Sequence, residues 1–185
     1  SDKFTICYTG NLIPVQRDPS LLFKAIQMLK NDDPKLYHSF SLSYAGNTVA
    51  LWDQYIHQFE LEDINTNHGH LSFKESYKIQ QKAQINLLLS SSVEGQKGIL
   101  TGKFYEYVFA QKPILLILKG EKDKEFEQIF RELNCGKVFY DQTNGNDQLY
   151  AFIMHLFNKW ENYDFPLITY NKDAFRAHDM SYQIQ

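Results

Sequence analysis

The sequence has 185 residues, of which 43% are hydrophobic, and a formal net charge of -3. This length supports one sizeable core, and the negative charge argues against non-specific nucleic-acid binding, which depends on neutralising phosphates. No uninterrupted apolar run approaches the roughly 18 residues of a membrane span, and no signal peptide precedes the first predicted strand. We therefore expect a cytoplasmic domain without a membrane span, taken from a longer protein.

Segments predicted to be strands and helices alternate along the chain. Runs rich in β-branched and aromatic residues predict strands at 3–9, 39–46, 64–67, 85–90, 113–118 and 137–140. Apolar residues at helical spacing predict helices at 19–29, 49–59, 72–83, 101–111, 123–133 and 147–160, with a detached helix at 172–181. Such alternation is typical of a parallel sheet with helices on both faces. The predicted fold class is therefore a Rossmann-like α/β domain.

Capping signals define several helix ends. Asp18 is expected as the N-cap of the first helix, with Pro19 at the first helical position. Ser72 and Glu75 have the spacing of a capping box, and Gly136 is expected to close the helix that ends near residue 133. The second helix is expected to carry an apolar stripe formed by Leu51, Tyr55 and Phe59.

Two loops have the composition of ligand-binding turns. In open α/β sheets, ligands bind outside the carboxyl ends of the strands. The loop after the first strand, "GNLIPVQRDP", places Gly10 where the backbone can approach a ligand and Arg17 just before a helix. The loop after Ser90, "SSVEGQKGILTG", leads into a helix whose unpaired amide groups form an anion site.

Lys103 and Glu106 lie three residues apart in that helix, on one face with Ala110. The opposite face, with Phe104, Tyr107, Val108 and Gln111, is expected to pack into the core. A glutamate one turn inside a phosphate-binding helix is well placed to accept hydrogen bonds from two sugar hydroxyls. The alternative is that Lys103 and Glu106 form an ordinary solvated ion pair.

Other known phosphate- and metal-binding motifs are absent or have the wrong spacing. "GILTGKF" is one residue short of a P-loop and has Phe104 where a Mg²⁺-binding serine or threonine is needed. Neither G-x-G-x-x-G nor D-x-D occurs. His68 and His70 have no nearby carboxylate or cysteine in sequence, so we expect no metal site there. Cys7 and Cys135 lack metal spacing and are expected to be reduced thiols.

Three stretches together resemble a known family: "FTICYTGNL" with "LLFKAIQML", then "HGHLSFKESYKIQQKAQINLLLS", and "LTGKFYEYVFAQKPILLI". They are similar to the C-terminal, donor-binding domain of GT-B retaining glycosyltransferases of the group 1 type. The resemblance covers nearly the whole chain. It implies a nucleotide-sugar-binding domain at 1–168 and a tail at 169–185 whose helix crosses to an N-terminal domain absent from this chain.

The resemblance also implies roles for individual residues. Glu106 would bind the ribose, and Glu94, in an E-x11-E spacing where the family has E-x7-E, would hold the donor sugar. Arg17 matches a basic residue that stabilises the diphosphate, whereas Asn11 stands where the family commonly has another, and Lys103 would supply that charge. Glu94 and Arg17 are thus the predicted catalytic residues. The other predicted donor-binding residues are Gly10, His70, Leu71, Gly98, Leu100, Thr101 and Gly102, with His70 and Leu71 beside the nucleobase.

The function implied is transfer of a sugar from a UDP- or GDP-type donor to a glycan or lipid-linked acceptor, without a metal or other cofactor. This domain alone would bind the donor and transfer nothing. The resemblance implies a cytoplasmic full-length protein that can lie peripherally at the inner membrane face. Two alternatives stay open: a sugar-nucleotide epimerase of GT-B architecture, and a degenerate α/β module that only contacts other proteins.

Overall fold

The structure is a computed structural model that describes residues 2–92, 102–141 and 145–166. Its centre is a six-stranded parallel sheet with the order β3-β2-β1-β4-β5-β6. The strands are β1 Phe4–Thr9, β2 Phe40–Ala45, β3 Asn65–Asn67, β4 Ile85–Ser92, β5 Ile114–Gly120 and β6 Gly136–Tyr140. The helices are α1 Ser20–Asp32, α2 Pro34–Tyr37, α3 Val49–Gln58, α4 Phe73–Lys82, α5 Gly102–Phe109, α6 Lys124–Leu133 and α7 Gly145–Glu161. The predicted Rossmann-like α/β fold is confirmed.

The strand order reverses between β1 and β4, which lie side by side at the centre of the sheet. The first three strands proceed outward from β1 in one direction and the last three proceed outward from β4 in the other. Ile6 pairs with Ile85, and Cys7 pairs with Asn86 across this junction. The loops that leave β1 and β4 therefore diverge and open a crevice at the carboxyl edge of the sheet, where such folds bind ligands.

Strand β5 shows why both faces of the sheet are covered. Leu115 and Ile117 belong to an apolar cluster that also contains buried side chains of α1, α3 and α7. The alternate residues Ile114, Leu116 and Leu118 belong to a second cluster, formed with α5 and α6. Successive side chains of a strand point to opposite faces, so a continuous apolar run requires two cores. The helices therefore lie on both sides of the sheet, as predicted.

Two predicted helix ends are displaced. Helix α1 begins at Ser20, with Pro19 in the N-cap position, and Asp18 Oδ1 instead accepts a hydrogen bond of 2.9 Å from the Ser20 amide. Helix α6 is closed by Asn134, whose φ of 47° is left-handed, so the prediction of Gly136 as its closing residue was wrong. Gly136 begins β6, where a Cβ would overlap the backbone of Ile114. The capping box of α4 is present as predicted.

The buried face of α3 also differs from the predicted stripe. Its fully buried side chains are Trp52 and Ile56, whereas Leu51 and Tyr55 are half-buried. Phe59, at the C-cap, is buried as predicted. Trp52 stacks on Tyr44 of β2 with ring centroids 4.6 Å apart, so this side of the helix faces the sheet. The sequence pattern alone does not contain that contact. The short helix α2, which Asp33 caps through the Leu36 amide, was not predicted.

Three further predictions concern the cysteines, the division of the chain into a domain and a tail, and membrane spans. Cys7 and Cys135 are buried free thiols, as predicted. The division of the chain at 168 and 169, and the tail helix, fall outside the described residues and stay predictions. Within the described part of the chain, no helix is long and apolar enough to cross a membrane.

Candidate functional site

Two adjoining cavities lie at the carboxyl edge of the sheet, above the junction of β1 and β4. The first has a volume of about 320 Å³ and the second about 150 Å³. Both are lined by Thr9, Gly10 and Lys103, so we treat them as one site and call it the crevice. The first continues toward α5 and the second toward the ends of β2 and β3.

All of the predicted site residues that the structure describes line the crevice. Those of the first cavity are Gly10, Arg17, Gly102, Lys103 and Glu106. Those of the second are Gly10, Asn11, His70, Leu71 and Lys103. Four further predicted residues, Glu94, Gly98, Leu100 and Thr101, lie outside the described residues. The fold therefore brings together residues 96 positions apart, from Gly10 to Glu106, whereas their individual roles stay predictions.

The floor of the second cavity depends on close packing of loop backbones. The Gly10 amide donates to the carbonyl of Ala45, and the Gly46 amide donates to that of Gly69, each at 2.9 Å. A Cβ on Gly46 would overlap the Gly10 carbonyl oxygen and lie 2.5 Å from the Tyr44 hydroxyl. Only glycine fits at position 46, because a side chain there would separate the loops that follow β1 and β2.

The β1–α1 loop holds Arg17 beside the crevice. Arg17 Nη1 donates to the Asn11 carbonyl oxygen at 3.3 Å, and the Tyr8 hydroxyl donates to the same oxygen at 2.9 Å. Burial raises the pKa of Tyr8 although the Arg17 charge opposes this shift, so Tyr8 remains a protonated donor. The side-chain oxygen of Asn11 accepts a bond of 2.8 Å from the Asn47 amide. Asn11 thus joins two loops.

Lys103 and Glu106 form the ion pair that the alternative interpretation expected, with Lys103 Nζ 2.7 Å from Glu106 Oε2. The pair is not on a fully solvated surface, because the side chains are 34% and 21% exposed and both line the crevice. Helix α5 ends at Phe109, so Ala110 lies beyond it and is buried instead of facing the ligand site as predicted. Gln111 also follows the helix and is not in the core cluster, contrary to prediction. The predicted core face is otherwise confirmed by Phe104, Tyr107 and Val108.

A buried polar network behind the crevice was missed by sequence reasoning. Gln80 Nε2 donates to Thr9 Oγ1 at 2.8 Å and to Glu106 Oε2 at 3.1 Å. Tyr107, whose pKa is raised by burial, places its hydroxyl 3.1 Å from both the amide nitrogen and Oγ1 of Thr9. The available signal was in α4, where "FKESYKIQQK" has small or polar residues four apart, Ser76 and Gln80, on one face.

The two loop histidines, His68 and His70, have different surroundings. His68 Nε2 lies 3.1 Å from the hydroxyl of Ser43, whereas His70 lines the second cavity with Leu71. Among the residues described, no group of three histidine, cysteine or acidic side chains is arranged to hold a metal ion.

The sequence matches no protein-family model and no curated protein sequence. Among solved structures, the chain is similar in fold to WaaG, a glycosyltransferase involved in lipopolysaccharide biosynthesis, at 13% identity and a TM-score of 0.60. It is also similar to the pneumococcal O-GlcNAc transferase GtfA in complex with UDP and GlcNAc, at 17% identity and a TM-score of 0.57. A third such structure is Anabaena HepE in complex with UDP and glucose, at 14% identity and a TM-score of 0.54.

These matches cover most of this chain but a smaller part of each neighbour. They include 84%, 99% and 97% of this chain, against 38%, 32% and 49% of WaaG, GtfA and HepE respectively. The chain therefore spans less than half the length of these proteins. At identities this low, the similarity shows the fold alone, and that fold is the Rossmann-like α/β fold that was predicted.

Proposed function

We propose that this chain is the donor-binding domain of a glycosyltransferase and that it holds a nucleoside diphosphate sugar in the crevice. The observation that carries the proposal is the convergence of Arg17, Lys103 and Glu106 on one cavity at the point where the strand order reverses. A cavity of about 320 Å³ falls within the range of roughly 300–1,000 Å³ that is common for ligand sites. The UDP named in the GtfA and HepE structures supports the same ligand class.

The charges of the crevice suit the two polar parts of such a ligand. Glu106 accepts hydrogen bonds only, so it suits the neighbouring hydroxyls of a ribose. Arg17 suits a diphosphate, because a guanidinium donates several bonds in a fixed geometry. Lys103, which pairs with Glu106 at 2.7 Å in this structure, would turn toward the diphosphate when the ribose binds the carboxylate.

The remaining predicted residues complete the proposed pose. His70 and Leu71 line the second cavity and would lie beside the nucleobase. Gly102 at the start of α5 would receive the diphosphate, since the amino end of a helix attracts anions. Gly98, Leu100 and Thr101, which precede it in sequence, are proposed to contribute to the same group. Glu94 would contact the donor sugar.

The proposed reaction follows from these contacts. Breaking the glycosidic bond leaves negative charge on the diphosphate, and fixed positive groups that stabilise this charge lower the barrier. Arg17 and Lys103 would supply them without a metal ion, and the transfer would retain the anomeric configuration. An N-terminal domain would supply the acceptor site for a glycan or lipid-linked sugar. A supply of nucleotide sugar would favour a cytoplasmic location for the full-length enzyme.

A second candidate is an α/β module that keeps the fold but only contacts other proteins. Two observations favour it: Asn11 serves a loop contact through Asn47, and the Lys103 charge is already paired with Glu106. Nucleotide binding separates the two functions, because a degenerate module has no need of it.

Calorimetric titration of the chain with UDP, GDP and ADP and with their sugars, each with and without Mg²⁺, tests the proposal. Selective binding that does not depend on Mg²⁺ is the expected result and identifies the base. If none of these ligands binds either to this chain or to the full-length protein, the proposal fails and the interaction module is favoured.

A further inference from the structure

Helix α4 differs from the other long helices in what it buries. Its buried side chains are polar, namely Ser76 and Gln80, and Gln80 has no exposed surface. Burying an amide costs free energy unless its groups are hydrogen-bonded. An apolar side chain of similar size at position 80 would fill the same volume without that cost. The presence of glutamine therefore points to a specific task for its amide group.

The contacts of Gln80 define that task. Its Nε2 donates to Thr9 Oγ1 at the end of β1, at 2.8 Å, and to Glu106 Oε2 on α5, at 3.1 Å. An ionised carboxylate accepts hydrogen bonds only, so the amide nitrogen and not the amide oxygen must face Glu106. One side chain thus links the central strand to the carboxylate in the wall of the crevice.

The other end of the amide shows that this orientation has a cost. Gln80 Oε1 is buried and accepts no hydrogen bond from the described residues. A buried acceptor without a partner is unfavourable. A glutamine placed only for stability would be expected to satisfy both ends of its amide. Among the described residues, one end of the amide stays unsatisfied while the other holds Glu106.

We propose that Gln80 is a positioning residue that fixes the Glu106 carboxylate for the ligand. Lys103 also contacts Glu106 Oε2, but its long side chain is flexible and is 34% exposed, so it leaves the carboxylate free to turn. The rigid, buried amide of Gln80 prevents this rotation of the carboxylate. The same oxygen receives both donors, which leaves Oε1 of Glu106 for the ligand. The role toward a ribose rests on the proposed function.

The test compares Gln80→Met, which keeps the length of the side chain and removes its amide, with Gln81→Met at the neighbouring exposed position. The probes are UDP and inorganic pyrophosphate. Gln80→Met is expected to weaken UDP binding about 3- to 30-fold and to leave pyrophosphate binding unchanged, because Glu106 would contact the ribose only. Gln81→Met is expected to change neither. In a Glu106→Ala background, Gln80→Met is expected to cause no further loss of UDP affinity.

A second measurement does not depend on any ligand. The effects of Gln80→Met and Glu106→Ala on the urea midpoint are expected to be non-additive, because the two side chains share a hydrogen bond. If UDP binds and Gln80→Met binds it as tightly as the unaltered chain, the positioning role is overturned and the proposed function stands. If neither this chain nor the full-length protein binds UDP, GDP, ADP or their sugars but the midpoints are non-additive, the proposed function fails and the contact with Glu106 stands. Additive midpoints together with no binding of any of these nucleotides overturn both.

Discussion

The two edges of the sheet each carry a cavity, and the larger one is not the candidate site. At the amino edge, a cavity of about 770 Å³ is lined by Asp2, Ser39, Phe157, Trp160, Glu161, Tyr163 and Phe165. At the carboxyl edge, the crevice has cavities of about 320 Å³ and 150 Å³. Among the described residues, the charged side chains lining the amino-edge cavity are the acidic Asp2 and Glu161, whereas the basic Arg17 and Lys103 line the crevice together with one acidic residue, Glu106. Charge, and not volume, distinguishes a site for a diphosphate.

The fold explains this difference. Helix α7 ends at Glu161, beside the amino-edge cavity, and the carboxyl end of a helix carries partial negative charge. Helix α5 begins at Gly102, beside the crevice, and the amino end of a helix carries partial positive charge. Every parallel strand delivers its loop to the same edge, so polar loop residues collect there.

The largest effect is expected from a substitution that disrupts the packing of the loops at the carboxyl edge. Gly46→Ala places a Cβ against the Gly10 carbonyl and is expected to lower the free energy of unfolding by about 3 kcal/mol, because backbone atoms have little freedom to yield. Gly102→Ala is the control, since its Cβ would have open space, and should stabilise α5 by up to about 1 kcal/mol. Urea denaturation of both variants measures the difference. If Gly46→Ala and Gly102→Ala were equally stable, the loops that follow β1 and β2 would not be packed against each other at position 46.

The next prediction compares an acidic residue of the crevice, Glu106, with an acidic residue of the amino edge, Glu161. Only the first is expected to contact the ligand. Glu106→Ala is expected to weaken nucleoside diphosphate binding by about 1–3 kcal/mol, through loss of hydrogen bonds to the ribose. Glu161→Ala, at the amino edge, is expected to leave binding unchanged. Calorimetry with both variants makes the comparison. An unchanged dissociation constant for Glu106→Ala would restrict this residue to its ion pair with Lys103.

A smaller effect separates the two parts of the ligand. Arg17→Ala is expected to weaken binding of a nucleoside diphosphate by about 1–2 kcal/mol, because a charge-assisted bond is lost, while binding of the nucleoside alone stays the same. Lys24→Ala is the matched control, since Lys24 is an exposed cation of α1. Equal losses for the two ligands would contradict a diphosphate role for Arg17.

The smallest effect concerns pH. Burial alone would raise the pKa of Asp18, but hydrogen bonds from Ser20 and Lys119 hold it below its ordinary value of 3.8. A lowered pKa contributes stability that is present above about pH 4 and is lost as the pH falls through the folded-state value. Asp18→Asn should therefore lower the free energy of unfolding at pH 7 by under about 1 kcal/mol, because Lys119 is partly exposed and its charge is screened. In acid, the difference in stability between Asp18→Asn and the unaltered chain should become smaller. Urea midpoints from pH 7 to pH 2, with Lys119→Met as an intermediate case, test this. Parallel curves for the three proteins would contradict it.

The sequence located much of the candidate site because strand ends are local features. Gly10 directly follows a predicted strand, Arg17 lies just before a predicted helix, and Lys103 and Glu106 lie in the first two turns of another. The parallel topology brings these positions to one edge. Gln80 was not found, because it lies in the last turn of α4, away in sequence from the strand ends at the carboxyl edge. Its importance comes from contacts with residues 71 and 26 positions away, Thr9 and Glu106.

The errors have two causes. The stripe predicted for α3 followed hydrophobic spacing, whereas the helix turns Trp52 toward Tyr44 of the sheet. Ala110 was placed on the ligand face because α5 was predicted to extend to residue 111, whereas it ends at Phe109. In each case a long-range contact or a helix end decided the outcome.

By itself, the sequence determined the alternation of strands and helices, the parallel sheet and the loops that form the site, because these depend on periodicity and on turn residues close together in the chain. Only the tertiary structure decided which faces are buried, which glycine must remain glycine, and which buried amide holds the carboxylate. Those features depend on packing between segments far apart in sequence, and a single sequence does not record which distant atoms will meet.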